Sequence, residues 1–230
     1  MDFWRFASIE GLAPISHSYH TLWLTALAFG IAMISACAMF PTVRSIRVAE
    51  THYGKFGWNM AVAVSMAFGI WGMHFTAMLE ISDWMEIRYD PWVTLFSVIP
   101  AVIGCSVTLS ILSARAQSIW TLTTSSLSLA LGVGTMHYVG MEAIRGAFLM
   151  RYDPASFAYS IILAWIVSAL SLSTYQSLSK RSKKSWSSSL VAAIALAAAV
   201  TTMHMAGMSA TEFYETSQQT KVEQSWLAPQ

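Results

Sequence analysis

Apolar residues run almost unbroken through six stretches of this chain, and polar or charged residues gather between them. The stretches cover residues 20–40, 58–79, 92–113, 120–142, 155–178 and 186–210. Each is close to the roughly 20 residues that an α-helix needs to cross a hydrocarbon core about 30 Å thick. The pattern therefore predicts an all-α fold, a polytopic membrane helix bundle of six transmembrane helices. Residues 1–19 are predicted to be a periplasmic N-terminal segment and residues 211–230 a polar periplasmic tail, with no further span in the tail. Small residues such as Ala192-Ala193 and Ala197-Ala198-Ala199 suit close helix packing in lipid. Trp58, Trp92, Trp120 and Trp186 stand near the starts of spans, as an aromatic belt requires. Pro100 is expected to kink the third span.

Composition agrees with this reading. Hydrophobic residues make up 55% of the 230 and charged residues only 11%, an apolar load that one soluble core of this size could not hide. The net charge of +1 offers no basic field for nucleic acid. Cys37 and Cys105 both fall within apolar stretches and read as small buried hydrophobes rather than a disulfide. The stretch from Met1 to Ser18 lacks the basic, apolar and small-residue order of a cleaved leader. Eight of the thirteen basic residues lie in alternate loops: Arg44, Arg47, Lys55, Arg115, Lys180, Arg181, Lys183 and Lys184. By the positive-inside rule those loops face the cytoplasm and both termini face outward.

The chain also repeats itself. Arg88-Tyr89-Asp90-Pro91 returns later in the chain as Arg151-Tyr152-Asp153-Pro154. Met73-His74 and Met78 return at the same spacing as Met136-His137 and Met141, and once more, slightly further on, as Met203-His204 and Met208. The unit is a helix pair used three times. In each copy the second helix ends on the Met-His motif. The Asp-Pro pairs suit helix starts, with proline in the first turn and aspartate capping free amides.

The motif carries the chemistry. Residues four apart share a helix face, so His74/Met78, His137/Met141 and His204/Met208 each aim an imidazole and a thioether at one volume. Met73, Met136 and Met203 flank that face. Each histidine stands at nearly the same remove from the tryptophan that opens its span: His74 from Trp58, His137 from Trp120 and His204 from Trp186. At a rise of about 1.5 Å per residue they share one depth, about 24–27 Å along each helix and near the outer boundary. Ionisable groups in a membrane usually mark a site. Imidazole with thioether suits copper, whereas hard ions need carboxylates that are scarce here. Haem held by two histidines is the alternative.

These residues resemble the MHYT family, named for a Met-His-Tyr-Thr motif, over about residues 16–210. This chain departs from the motif in each copy, with Met-His-Phe-Thr, Met-His-Tyr-Val and Met-His-Met-Ala. The resemblance implies a non-enzymatic sensory domain of the bacterial inner membrane that binds copper near the outer face. It also implies sensing of oxygen, carbon monoxide or nitric oxide, with signalling to a cytoplasmic output. Because residues 211–230 offer no seventh span, a separate cytoplasmic partner is expected. A membrane enzyme or electron carrier that uses haem or copper is the second expectation and a transporter the third. The repeats share one orientation, against the inverted repeats common in transporters.

Overall fold

A computed structural model describes residues 14–15, 22–83, 85–113, 118–181 and 186–215. Among the described residues there are seven α-helices: α1 (Leu22–Val48), α2 (His52–Met78), α3 (Pro91–Phe96), α4 (Val98–Ser113), α5 (Ile119–Met141), α6 (Pro154–Arg181) and α7 (Trp186–Ser209). Five of the described segments are long and apolar enough to cross a membrane: Leu22–Met39, His52–Ser82, Pro91–Ser113, Pro154–Ser177 and Ser189–Ser209. The protein is thus a multi-pass membrane helix bundle. Its surface displays Trp23, Trp58, Trp92, Trp120, Ile99 and Leu170, which suits an acyl-chain solvent.

The sequence predicts six spans, and the fourth of these is α5, which is not among the five. The reason lies in its first half, where Thr121, Thr123, Thr124, Ser125, Ser126 and Ser128 dilute the apolar run. The helix tolerates them by pairing hydroxyls with its own carbonyls. Thr124 Oγ1 donates to the Trp120 carbonyl at 2.7 Å, and Ser125 Oγ to that of Thr121 at 2.7 Å. Trp165 of α6 donates its indole N–H to Ser126 Oγ at 3.1 Å.

The helices pack in a closed ring, each pair touching the next: α1 on α2, α2 on α4, α4 on α5, α5 on α6, α6 on α7, and α7 back on α1. The second helix of each pair also touches the other second helices, though far less extensively. α4 and α5 come closest through Gly104 and Gly132, where a Cβ on Gly104 would stand 2.7 Å from the Gly132 Cα. The proline of the third span acts slightly upstream of its position. Pro100 has no N–H and its ring crowds the backbone of the preceding turn, so the helix breaks at Ser97. Trp71 closes the break by donating to the Thr94 carbonyl at 2.9 Å and to Ser97 Oγ at 3.1 Å.

Basic residues expected in loops sit on helices instead. Arg44 and Arg47 fall within α1, Lys55 within α2, and Lys180 and Arg181 within α6. Arg115, Lys183, Lys184 and most of both flanking segments lie outside the described residues.

One end of the ring is capped by strands that apolar periodicity does not announce. β1 (Arg88–Tyr89) pairs antiparallel with β2 (Ile144–Arg145), and β3 (Phe148–Tyr152) with β4 (Thr211–Glu215). The repeat governs this pairing. The Asp90 amide donates to the Ala143 carbonyl at 2.8 Å, and the Asp153 amide to that of Ala210 at 2.9 Å. Each aspartate then starts a helix. Asp90 Oδ1 accepts from the Trp92 and Val93 amides at 3.1 Å, and Asp153 Oδ2 from the Ser156 amide at 2.7 Å. Hydrogen bonds to Val93 and Ser156 hold the two carboxyls below the ordinary carboxylate range, and for Asp90 the Arg145 guanidinium adds to the effect.

Candidate metal centre

Beneath this cap the three motif histidines meet. α2, α5 and α7 each reach the capped end with the Met-His sequence in their last turns, so helices of similar length deliver equal residues to one layer. The Nδ1 atoms of His74, His137 and His204 form a nearly equilateral triangle with sides of 3.1, 3.3 and 3.3 Å. The ring centroids stand 5.0–5.2 Å apart, with planes inclined by 79–80°, like three blades about one axis. All three side chains are buried, and among the described residues they are the one cluster able to offer three ligand atoms to an ion.

Three facing ring nitrogens pose a pairing problem. A neutral imidazole carries one N–H, and two acceptors or two donors cannot bond each other. No distribution of protons therefore satisfies all three sides of the triangle. A cation among three lone pairs would satisfy them together. The point equidistant from the nitrogens lies about 1.9 Å from each, the mean side divided by √3. That is close to the roughly 2.0–2.1 Å of a metal–imidazole bond. The donor set and its spacing fit a metal ion.

The rings are seated on glycine. A Cβ on Gly140 of α5 would collide with Nε2 of His74, and one on Gly207 of α7 with Nε2 of His137. Both Nε2 atoms are buried, with no hydrogen-bond partner among the described residues. Gly140 and Gly207 each stand three positions after a motif histidine, and their recurrence was the available signal. Sequence reasoning assigned them no role. The first copy has Ala77 at that register.

The six methionines divide between two layers. Met73, Met136 and Met203 are buried in the large core shared by the helices. Met78, Met141 and Met208 join a second apolar cluster with Ile81 and with Ile144, Met150, Tyr152 and Phe213 of the strands. The structure thus brings the histidines within ligand distance of one another and assigns the methionines to the two apolar clusters. Tyr138, whose ring meets that of His137 edge-on, is anchored by a 2.6 Å bond between its hydroxyl and Ser160 Oγ. In the first copy Phe75 takes the place of Tyr138.

A membrane-embedded repeat that closes on three histidines is found in a family of bacterial signalling proteins. The family described as "Bacterial signalling protein N terminal repeat", MHYT, matches residues 68–125 and 131–192, and the chain belongs to it. It is 31% identical over 201 residues to the signaling protein YkoW of Bacillus subtilis, covering 86% of this chain and 25% of that protein. Two proteins of Pseudomonas aeruginosa are also similar. One is the bifunctional diguanylate cyclase/cyclic di-GMP phosphodiesterase MucR, 30% identical over 83% of this chain and 28% of its own length. The other is the cyclic di-GMP phosphodiesterase NbdA, 29% identical over 81% of this chain and 24% of its own length. The chain therefore spans about a quarter of the curated relatives it matches. No solved structure matches it.

Proposed function

We propose that this chain is the input part of a bacterial inner-membrane signalling system, in which His74, His137 and His204 hold a copper ion near the periplasmic face. The observation that carries this reading is the Nδ1 triangle, three converging nitrogens that protons alone cannot satisfy. Copper bound there would supply reversible ligation of a diatomic gas (oxygen, carbon monoxide or nitric oxide) or a change of redox state. The histidines bind and orient. Gly140 and Gly207 let two of the rings approach the axis, and the methionine-rich layers exclude water and offer soft neighbours.

Because α2, α5 and α7 touch one another far less than they touch their ring neighbours, altered spacing of the imidazoles would shift all three helices together. Such a shift needs two states with different ligand affinity. We place the capped end and both termini outside, because the basic residues of α1, α2 and α6 gather at the opposite end. The basic opposite end then faces a separate cytoplasmic partner, consistent with relatives whose names include cyclic-di-GMP turnover. On this reading the chain senses and does not catalyse. Copper is favoured over haem because three mutually inclined rings 5.0–5.2 Å apart leave no slot for a flat macrocycle.

The test is elemental analysis with an optical spectrum of protein purified after copper-replete expression. One copper per chain is expected, lost in His74→Ala/His137→Ala/His204→Ala with helicity retained. A folded wild type without copper, or an intense Soret band, would overturn the reading.

A further inference from the structure

At the end of the bundle opposite the histidines, α1, α2 and α4 surround a cavity of about 790 Å³. This is within the roughly 300–1,000 Å³ of small-ligand sites. Arg47, His52 and Lys55 contribute cationic or cation-capable groups to its wall, and Asn59, Ser106 and Ser110 neutral hydrogen-bonding ones. Among the described residues no carboxylate lines it. Lys55 is exposed and forms no ion pair among the described residues. Arg47 donates one N–H to the Leu112 carbonyl at 2.6 Å, which fixes the guanidinium while leaving further donors of its five.

The floor is built. Asn59 is buried, and its Nδ2 donates to the Ser106 carbonyl at 3.1 Å and to Ser110 Oγ at 2.9 Å. Its Oδ1 accepts from Ser106 Oγ at 2.7 Å. A buried carboxamide in a membrane helix is costly unless paired, and here it holds two helices in register around the cavity. Ile46 and Phe56 supply an apolar wall beside the cations. Asn59 precedes His74 on α2 by about four turns, roughly 22 Å along the helix, so this cavity is separate from the histidine layer.

We propose that this cavity binds a phosphate-bearing ligand, with Arg47 and Lys55 on the phosphate and Ile46 and Phe56 against its carbon body. Arginine and lysine without acidic neighbours select an anion, and the fork of Arg47 matches phosphate oxygens. The phosphate could belong to a lipid headgroup or to a soluble phosphate ester. The experiment separates these sources. Purified full chain is titrated with phosphatidylglycerol by native mass spectrometry, with phosphatidylcholine for comparison, and with glycerol 3-phosphate by calorimetry.

In one arm or the other, Lys55→Gln should weaken binding about tenfold, and Arg47→Gln/Lys55→Gln should weaken it further. Arg88→Gln, at the far end, should leave it unchanged. The responding arm names the source. Binding equal in wild type and Lys55→Gln, or none in either arm, would overturn the proposal. Because the Lys55 side chain is exposed, its variant tests the site without unfolding the protein.

Discussion

The two ends of the bundle reach polar clusters by different routes. At the capped end three copies of one motif arrive on three helices of similar length, and symmetry brings like groups face to face. The histidines there are buried and close-packed. The cavity at the opposite end is lined from the first two repeats, and the second repeat carries Leu122 at the register that Asn59 holds in the first. That end holds an open cavity with unlike groups around it. Duplication thus supplies a symmetric site only where each copy keeps its ligand. Elsewhere the copies diverge, and divergence leaves room.

The contrast can be broken at the helix contact that both ends share. Gly104→Leu would drive a side chain into the Gly132 backbone, and it should cost about 3 kcal/mol or more. Thermal unfolding in detergent should show the lower stability, and binding assays the loss of both the proposed copper site and the proposed phosphate-ligand site. Gly207→Ala acts at one end. Its methyl group would meet the His137 ring, costing about 1–3 kcal/mol and lowering bound copper while leaving the far cavity intact. Ala77→Gly, at the same register of the first copy, should cost about 1 kcal/mol from helix propensity and retain the metal.

Asn59→Leu makes the converse cut. It removes the bonds to Ser106 and Ser110, with an expected loss of about 1 kcal/mol and unchanged copper. The smallest effect concerns acid. The carboxyls of Asp90 and Asp153 lie below the ordinary range when folded, so their contribution is complete above the unfolded value near about 3.9. It is lost as pH falls through the folded values. Melting temperature should therefore hold steady from neutral pH down to about 4 and then drop, less steeply in Asp90→Asn.

Much of the molecule was legible in the residues. Continuous apolar runs located the helices. The internal repeat, with near-equal distances from each tryptophan, put His74, His137 and His204 at one depth. What periodicity lacks is information about other parts of the chain. The break at Ser97 is caused by Pro100, yet its closure depends on Trp71 from another helix. The hydroxyls of α5 dilute its apolar run, while their bonds to its own carbonyls make them tolerable in the bundle. Gly140 and Gly207 gain meaning only once the facing imidazoles are seen. The cap strands pair residues that are far apart in sequence, and so escaped a reading based on local pattern.

Closing the circle has a topological consequence. α7 packs against α1, and the Ile15 amide reaches the Phe213 carbonyl at 2.8 Å, so the segments flanking the first and last helices are neighbours. A short tether between them, with new ends opened between α2 and α3, would leave every helix beside the same companions. The architecture is in this sense a wheel without a privileged first spoke, and a permuted gene should encode the same object.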